Sequence, residues 1–114
     1  MDYRSLEVYQ RAQSLFPKIY RLVRSWKEID QRELGSQMIR AANSIHANIA
    51  EGSTKSSPDF KRYLSNAIGS CDEIVSHIND ATSVGLMTKT TSGELIEAYK
   101  IVGKQLMRLK QNWK

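Results

Sequence analysis

The stretch SSPDFKRYLSNAIGSCDEIVSHINDATSVG, residues 56–85, contains the clearest helix signal in the sequence. Ser56 or Ser57 can cap its start, because a serine oxygen accepts a hydrogen bond from an unpaired N–H of the first turn. Pro58 suits the first helical position, and the acidic residue after it suits the positive end of the helix dipole. The apolar residues of this segment recur at steps of three and four, the period of one helix face: Phe60, Tyr63, Leu64, Ala67, Cys71, Ile74, Ile78 and Ala81.

Three other segments have the same period, and none has the alternation of a half-buried strand. They are predicted to begin near Ser5, Gln31 and Thr91 or Ser92, the first ending near Ser25 and the second near Glu51. Gly52 follows the second segment and is predicted to end it in the left-handed conformation that glycine adopts most easily. The predicted apolar faces are Leu6, Tyr9, Ala12, Leu15 or Phe16, Ile19, Leu22 and Val23; Leu34, Met38, Ala41, Ala42, Ile45 and Ile49; and Leu95, Tyr99 or Ala98, Val102, Leu106 and Leu109.

The four predicted helices are joined by short connections, which make each helix pack antiparallel to the one before it. The sequence therefore predicts an all-α fold, an antiparallel up-down-up-down four-helix bundle. At 114 residues the chain is too short for two independent cores, so residues 1–114 are predicted to form one domain.

The composition, 40% apolar and 25% charged, is that of an ordinary globular protein. No apolar run approaches the ~20 residues that span a bilayer, and the first residues lack the apolar core of a signal peptide. Cys71 is the only cysteine, so no internal disulfide can form. We therefore expect a cytoplasmic protein with no membrane partner.

Basic residues are concentrated at the two ends of the chain. The net charge is +5, and residues 1–26 and 91–114 each carry five basic and two acidic side chains. Lys100, Lys104 and Arg108 are spaced four apart, as on one side of a helix, while Arg4, Arg11 and Lys18 are spaced seven apart. First and last helices are neighbours in such a bundle, so the two rows are predicted to form one basic surface.

This basic surface is a candidate for binding the phosphates of RNA or DNA in a salt-dependent, largely sequence-independent way. The candidate residues are Arg11, Lys18, Arg21, Lys100, Lys104 and Arg108. The alternative is a solvated face that keeps the protein soluble. Tyr3, Trp26 and Trp113 are candidates for stacking on bases, or for packing at helix ends.

The second and third predicted helices also have a small and polar face away from their apolar stripes. Gly69 lies in the middle of a helix, where glycine costs about 1 kcal/mol relative to alanine, and a close backbone approach is one reason for it. This face predicts a subunit contact or a buried polar network, and the alternative is again a solvated face. Its candidate residues are Arg40, Ser44, Asn48, Glu51, Gly69, Ser70 and Glu73.

The stretch RAANSIHANIAEG, residues 40–52, resembles the signature of the four-helix bundle proteins encoded in intervening sequences of bacterial 23S ribosomal RNA genes. That family includes the accessory protein of diversity-generating retroelements. The resemblance extends to LEVYQRA at residues 6–12 and AIGS at residues 67–70. His46 departs from the family pattern, which often has proline there, and Asn43 stands where an aliphatic residue is common.

The resemblance implies a four-helix protomer, frequently assembled as a homopentameric ring, with no established catalytic activity. By analogy with the retroelement protein, it also implies that RNA, DNA or a protein partner is bound through basic surface.

Catalytic and metal-binding residues are not predicted. A di-iron bundle needs Glu-x-x-His on two helices, whereas Glu73 and His77 are four apart and His46 has no glutamate three residues before it. Cys71 lies on the apolar face and is predicted to be a core residue, and no cofactor is implied. The sequence thus predicts a non-enzymatic homo-oligomer that acts as a nucleic-acid-binding or ribonucleoprotein accessory module. The alternative is a protein–protein interaction scaffold with no direct nucleic-acid contact.

Overall fold

The computed structural model describes residues 1–114, and every regular element in it is helical. A short 3₁₀ turn at Tyr3–Ser5 precedes four long helices. These are α1 at Glu7–Arg24, α2 over residues 28–52, α3 at Ser57–Ser83 and α4 at Lys89–Asn112. The predicted all-α four-helix bundle is confirmed.

Helix α2 is longer than predicted and contains a turn of a different kind. It begins as Glu28–Asp30, passes through a π-helical turn at Gln31–Gly35, and continues as Ser36–Gly52. Gly35 is buried at the end of this turn, where a Cβ atom would overlap the side chain of Val23. The absence of a side chain at this position therefore lets α2 pack directly against the end of α1.

Side-chain caps determine where α3 and α4 begin. The Oγ of Ser56 accepts a hydrogen bond from the backbone N–H of Asp59 at 3.4 Å. In the same way Thr88 accepts one from Thr91 at 3.1 Å, so α4 begins two residues before its earliest predicted start. Each cap satisfies an N–H that has no partner within its helix.

Gly52 corrects one prediction. Gly85, after α3, is the residue with a positive φ, at 81°, so Gly52 does not take the left-handed conformation. Gly52 is instead buried against α3, where an added Cβ would lie 2.6 Å from the Cβ of Tyr63 and 2.9 Å from the Cδ1 of Phe60. The glycine is needed because the two helices approach so closely, and not because of its backbone freedom.

The helices pack in the order α1–α2–α3–α4, and the α1–α4 seam is the thinnest of the four interfaces. At one end of the bundle, the indole N–H of Trp26 after α1 donates to the carbonyl of Leu86 after α3, at 3.1 Å. At the other end, the Oγ of Ser57 at the start of α3 donates to the carbonyl of Lys114 at 2.8 Å. The first contact joins the ends of the diagonal helices α1 and α3, and the second joins the start of α3 to the end of its neighbour α4, as expected of an up-down-up-down bundle.

The core consists of the predicted stripes with a few changes. Ile45 and Ile74 are fully buried in it, as expected. The predicted members that are only partly buried are Leu6, Tyr9, Leu22, Leu34, Tyr63 and Leu109. The buried hydrophobic residues that the helical periodicity did not indicate are Val8, Trp26 and Met87. None of the four helices has a stretch long and apolar enough to cross a membrane.

Candidate nucleic-acid interface

Most of the predicted phosphate-binding side chains are free and accessible. Five of the six are exposed and take part in no ion pair within the chain: Lys18, Arg21, Lys100, Lys104 and Arg108. A hydrated, unpaired cation can exchange its counterions for a phosphate without breaking a contact within the protein. These five residues form the accessible part of the candidate interface.

Arg11, the sixth candidate, is already paired. Its Nη2 lies 2.9 Å from the Oε1 of Glu7, and its Nε is buried without a partner. The same carboxylate oxygen accepts a hydrogen bond from Gln105 of α4 at 3.4 Å. Glu7 therefore pairs with Arg11 on its own helix and accepts a hydrogen bond from α4, so the charge of Arg11 is compensated at that seam.

Arg4, the first member of the basic row in the N-terminal segment, is also paired. Its Nε lies 3.0 Å from the Oδ1 of Asp2, and hydrogen bonds from Arg4 lower the pKa of that carboxyl below its usual value. Both side chains are exposed, so this pair contributes little to stability. The unpaired candidate residues of the first helix therefore lie further along it, at Lys18 and Arg21.

The basic row on α4 does not join α1 as one continuous surface. Lys100 and Lys104 line a groove of about 360 Å³ between α3 and α4, whereas Arg108 lines one of about 300 Å³ between α1 and α4. The reason is geometric: a row with a spacing of four turns by about 80° over eight residues, since a helix has 3.6 residues per turn. The row thus crosses the outer face of α4 from the α3 side to the α1 side.

Acidic residues separate the basic side chains further. Lys18 shares a groove of about 180 Å³ with Glu94, and Arg108 shares its groove with Glu7. Asp72 lies in the groove that Lys100 lines. The single basic surface predicted from the sequence is therefore divided into separate clusters around α1 and α4.

The aromatic residues considered for base stacking are engaged in packing. The ring of Tyr3 stands edge-on to Tyr9 at 4.9 Å, and that of Trp113 edge-on to Phe60 at 4.7 Å. Trp26 is buried and hydrogen-bonded. These three side chains close the ends of the bundle.

Three of the predicted polar residues meet between α2 and α3. The Nδ2 of Asn48 donates to both the carbonyl and the Oγ of Ser44, at 2.8 and 3.0 Å. Ser70 donates from α3 to the same Oγ at 2.9 Å. This network satisfies the mostly buried hydroxyl of Ser70, as buried polar groups require.

The other members of that face have separate surroundings. Arg40 and Glu73 line a groove of about 330 Å³ between α2 and α3 without forming an ion pair. The carboxylate of Glu51 accepts a hydrogen bond from the hydroxyl of Tyr63 at 3.3 Å. A Cβ at Gly69 would meet no atom within 4 Å, so no close approach within the protomer explains this glycine.

A groove of about 510 Å³, larger than the four grooves described above, lies between α1 and α2 and is called here the α1–α2 groove. Phe16 lines it from α1, and Arg40, Asn43, Asn48 and Glu51 line it from α2. Phe16 and Asn43 were not predicted as site residues. The sequence left Leu15 and Phe16 as alternatives for the core; Leu15 is the buried one, which leaves Phe16 at the groove.

The wall of this groove is held by aromatic contacts. The ring of Phe16 lies 5.9 Å from that of His46 at an angle of 73°, and 6.1 Å from that of Tyr20. His46 also stands edge-on to Tyr9, at 5.9 Å. It is almost fully buried, and burial lowers its pKa below the ordinary value. The imidazole is therefore neutral near pH 7 and behaves as part of the aromatic wall.

The reactive side chains of the core are not arranged for chemistry. Burial raises the pKa of the Cys71 thiol to about 12 and also raises that of the Tyr99 hydroxyl, which has no hydrogen-bond partner. A thiol with such a pKa stays protonated and is a poor nucleophile. The structure contains no group of three or more histidine, cysteine, aspartate or glutamate side chains placed to hold a metal ion.

Both the sequence and the fold of this chain match those of known proteins. The sequence matches the family model described as 23S rRNA-intervening sequence protein over residues 4–108. A solved structure from Bacteroides thetaiotaomicron VPI-5482, of a protein with unknown function from the S23 ribosomal protein family, superimposes with a TM-score of 0.85. The two chains are 19% identical, and the match covers 92% of this chain and 96% of that one. No curated protein matches the sequence.

Proposed function

The chain belongs to the 23S rRNA-intervening sequence protein family, and on this basis we propose that it is a non-enzymatic nucleic-acid-binding module that works as a homo-oligomer in a ribonucleoprotein complex. The observation that carries the proposal is that five of the six predicted phosphate-binding side chains on α1 and α4 are exposed and have no acidic partner within the chain. In this proposal these five residues contact phosphates, and Arg11 contributes by holding Glu7 at the seam between the two helices.

The affinity of such a surface comes from counterion release. Each phosphate contact with a single strand contributes about −0.7 to the slope of log K against log salt, so one protomer that uses all five cations gives a slope of roughly −3.5. Because the cations form separate clusters, a bound strand bends around the α1–α4 side of the bundle. A homo-oligomer, which we propose is a closed ring of five as the family resemblance implies, presents several such surfaces to one strand and so raises its apparent affinity.

The absence of an enzymatic role is part of the proposal. It is supported by the protonated Cys71 thiol and by the hydroxyl of Ser70, which donates to another serine and has no histidine to activate it. We also propose that the protein resides in the cytoplasm, where an unpaired cysteine such as Cys71 stays reduced.

Charge reversal tests the phosphate contacts. The variant Lys100→Glu with Lys104→Glu is compared with the control Lys27→Glu with Lys55→Glu, which changes the net charge equally at exposed positions between helices. Binding to labelled single-stranded RNA, measured by fluorescence anisotropy over a range of salt, should weaken strongly for the first variant. The slope of log K against log salt should become shallower by about 0.7 per lost contact, while the control changes little.

Two results would count against this function. Equal losses in the two variants would mean that net charge acts and that these particular lysines do not. No salt-sensitive binding of RNA or DNA by the wild type at about 50 mM salt, where contacts are weakly screened, would exclude the function altogether. The protein–protein scaffold would then be the better interpretation.

A further inference from the structure

We propose that the α1–α2 groove binds an unpaired base of a single-stranded nucleic acid. This inference rests on the proposed function and adds to it a place where bases, and not only phosphates, are contacted. The groove is separate from the basic clusters of α4, and at about 510 Å³ it lies within the usual volume range of small-ligand sites, about 300–1,000 Å³.

The first requirement for such a site is a stacking surface. Phe16 lines the groove and is only partly buried, and the rings of His46 and Tyr20 hold it in place. Bases that have been drawn out of a strand stack on aromatic side chains, and every base has a face that can do so. A ring fixed by its neighbours loses little conformational entropy when a base binds.

The second requirement is a set of unused hydrogen-bonding groups. Asn43 is exposed at the groove, and its amide makes no hydrogen bond within the chain, so it offers a donor and an acceptor side by side. This is the pattern with which an asparagine pairs with the edge of a base. The Nδ2 of the nearby Asn48 donates to Ser44, so the side-chain oxygen of Asn48 is left as a further acceptor.

The third requirement is a difference in charge along the groove, with a positive side chain for the phosphate and a negative one nearer the base or ribose. Arg40 lines the groove and has no ion-pair partner in the chain, so its guanidinium can bind a phosphate through two parallel hydrogen bonds. Glu51 lies eleven residues further on, roughly 16 Å along the helix. Its carboxylate repels phosphate and accepts hydrogen bonds, which suits an amino group of a base or a ribose hydroxyl.

Helix α1 connects this groove to the basic side chains of its own outer face. Phe16 lines the groove towards α2, and Lys18, two residues later, lines a groove towards α4. Arg21 lies exposed on the same helix. A strand whose phosphates follow the outer side of α1 can therefore turn one base into the α1–α2 groove.

The experiment compares single-stranded RNA of about 12 nucleotides, within the usual footprint of such sites, with an RNA duplex of the same length. The variants are Phe16→Leu and Asn43→Ala, and the matched control is Asn66→Ala, another exposed helical asparagine, on α3. Each groove variant should weaken single-strand binding about tenfold and leave duplex binding unchanged, because a paired base cannot enter the groove. The salt slope should stay the same, since no phosphate contact is removed. Photocrosslinking of RNA that contains 4-thiouridine should label the peptide around Phe16.

Several results would overturn the inference. Unchanged single-strand binding by both variants, with wild-type binding intact, removes the base site while the proposed function stands. A changed oligomeric mass with unchanged RNA affinity would identify the groove as a contact between subunits. No RNA binding by the wild type ends both proposals together. If Phe16→Leu does not fold, Asn43→Ala, which alters only an exposed amide, decides the matter.

Discussion

The replacement of Gly52 by alanine should destabilise the protein, although glycine to alanine in a helix usually stabilises by about 1 kcal/mol. The added Cβ would lie 2.6 Å from the Cβ of Tyr63 and 2.9 Å from the Cδ1 of Phe60. A Cβ atom is fixed to the backbone and cannot rotate away, so α2 and α3 must move apart. Overpacking of this kind costs about 1–3 kcal/mol, and its upper end, less the gain in helix propensity, leaves a net loss of about 2 kcal/mol.

Gly69→Ala is the matched control. Gly69 is exposed in the middle of α3, and a Cβ there meets nothing within 4 Å, so this variant should gain about 0.5–1 kcal/mol. Urea unfolding at one fixed protein concentration, followed by circular dichroism, gives both free energies of unfolding. If Gly52→Ala proves as stable as Gly69→Ala, the close approach of α2 and α3 is not the reason for the glycine. A loss of oligomeric mass in Gly69→Ala would instead place Gly69 at a contact between subunits.

The remaining predictions concern the core, pH and assembly. Ile45→Ala and Ile74→Ala should each cost roughly 2–5 kcal/mol in urea melts, because both side chains are fully buried; losses below about 1 kcal/mol would mean that neither fills the core. Burial lowers the pKa of His46, so as the pH falls the imidazole is protonated in the unfolded chain before it is protonated in the folded protein. The contribution of His46 to the free energy of unfolding should therefore be constant above the ordinary value of 6.5 and decrease as the pH falls below it. His46→Phe should reduce this dependence, and an unchanged pH profile would assign it to other groups. Sedimentation at micromolar concentration should give a mass several times 13.0 kDa, whereas a monomer would refute the proposed ring.

The helices were predictable because one face of each had to be apolar. On α3, the buried residues Phe60, Leu64, Ala67 and Ile74 follow the spacing that the sequence displays. The π-helical turn at Gln31–Gly35 was not predicted, and the close packing of its Gly35 against Val23 is a contact between helices that the periodicity of one segment does not reveal. The burial of Trp26 likewise depends on a carbonyl 60 residues away, which periodicity does not reveal.

The candidate site was less predictable than the fold. Spacing places Lys100, Lys104 and Arg108 on one side of a helix, but the neighbouring helix that each residue faces, and the position of Glu7 beside Arg108, depend on how α4 packs against α3 and α1. The left-handed conformation predicted for Gly52 was wrong for a similar reason. A glycine at the end of a helix is compatible with a left-handed turn and with a close approach of another helix equally well. Which of the two applies depends on the neighbouring helix.

The two tryptophans give the protein a spectroscopic signal for each end of the bundle. Trp26 is buried beside Leu86, where α1 and α3 end, whereas the partly exposed Trp113 rests on Phe60, where α3 begins and α4 ends. The molecule is 44 Å long, and the two indoles lie at opposite ends of it. The indole of Trp26 is shielded from water, whereas that of Trp113 is partly exposed to it. Fraying at one end should therefore change only part of the emission, and a single fluorescence spectrum can distinguish local opening from cooperative unfolding.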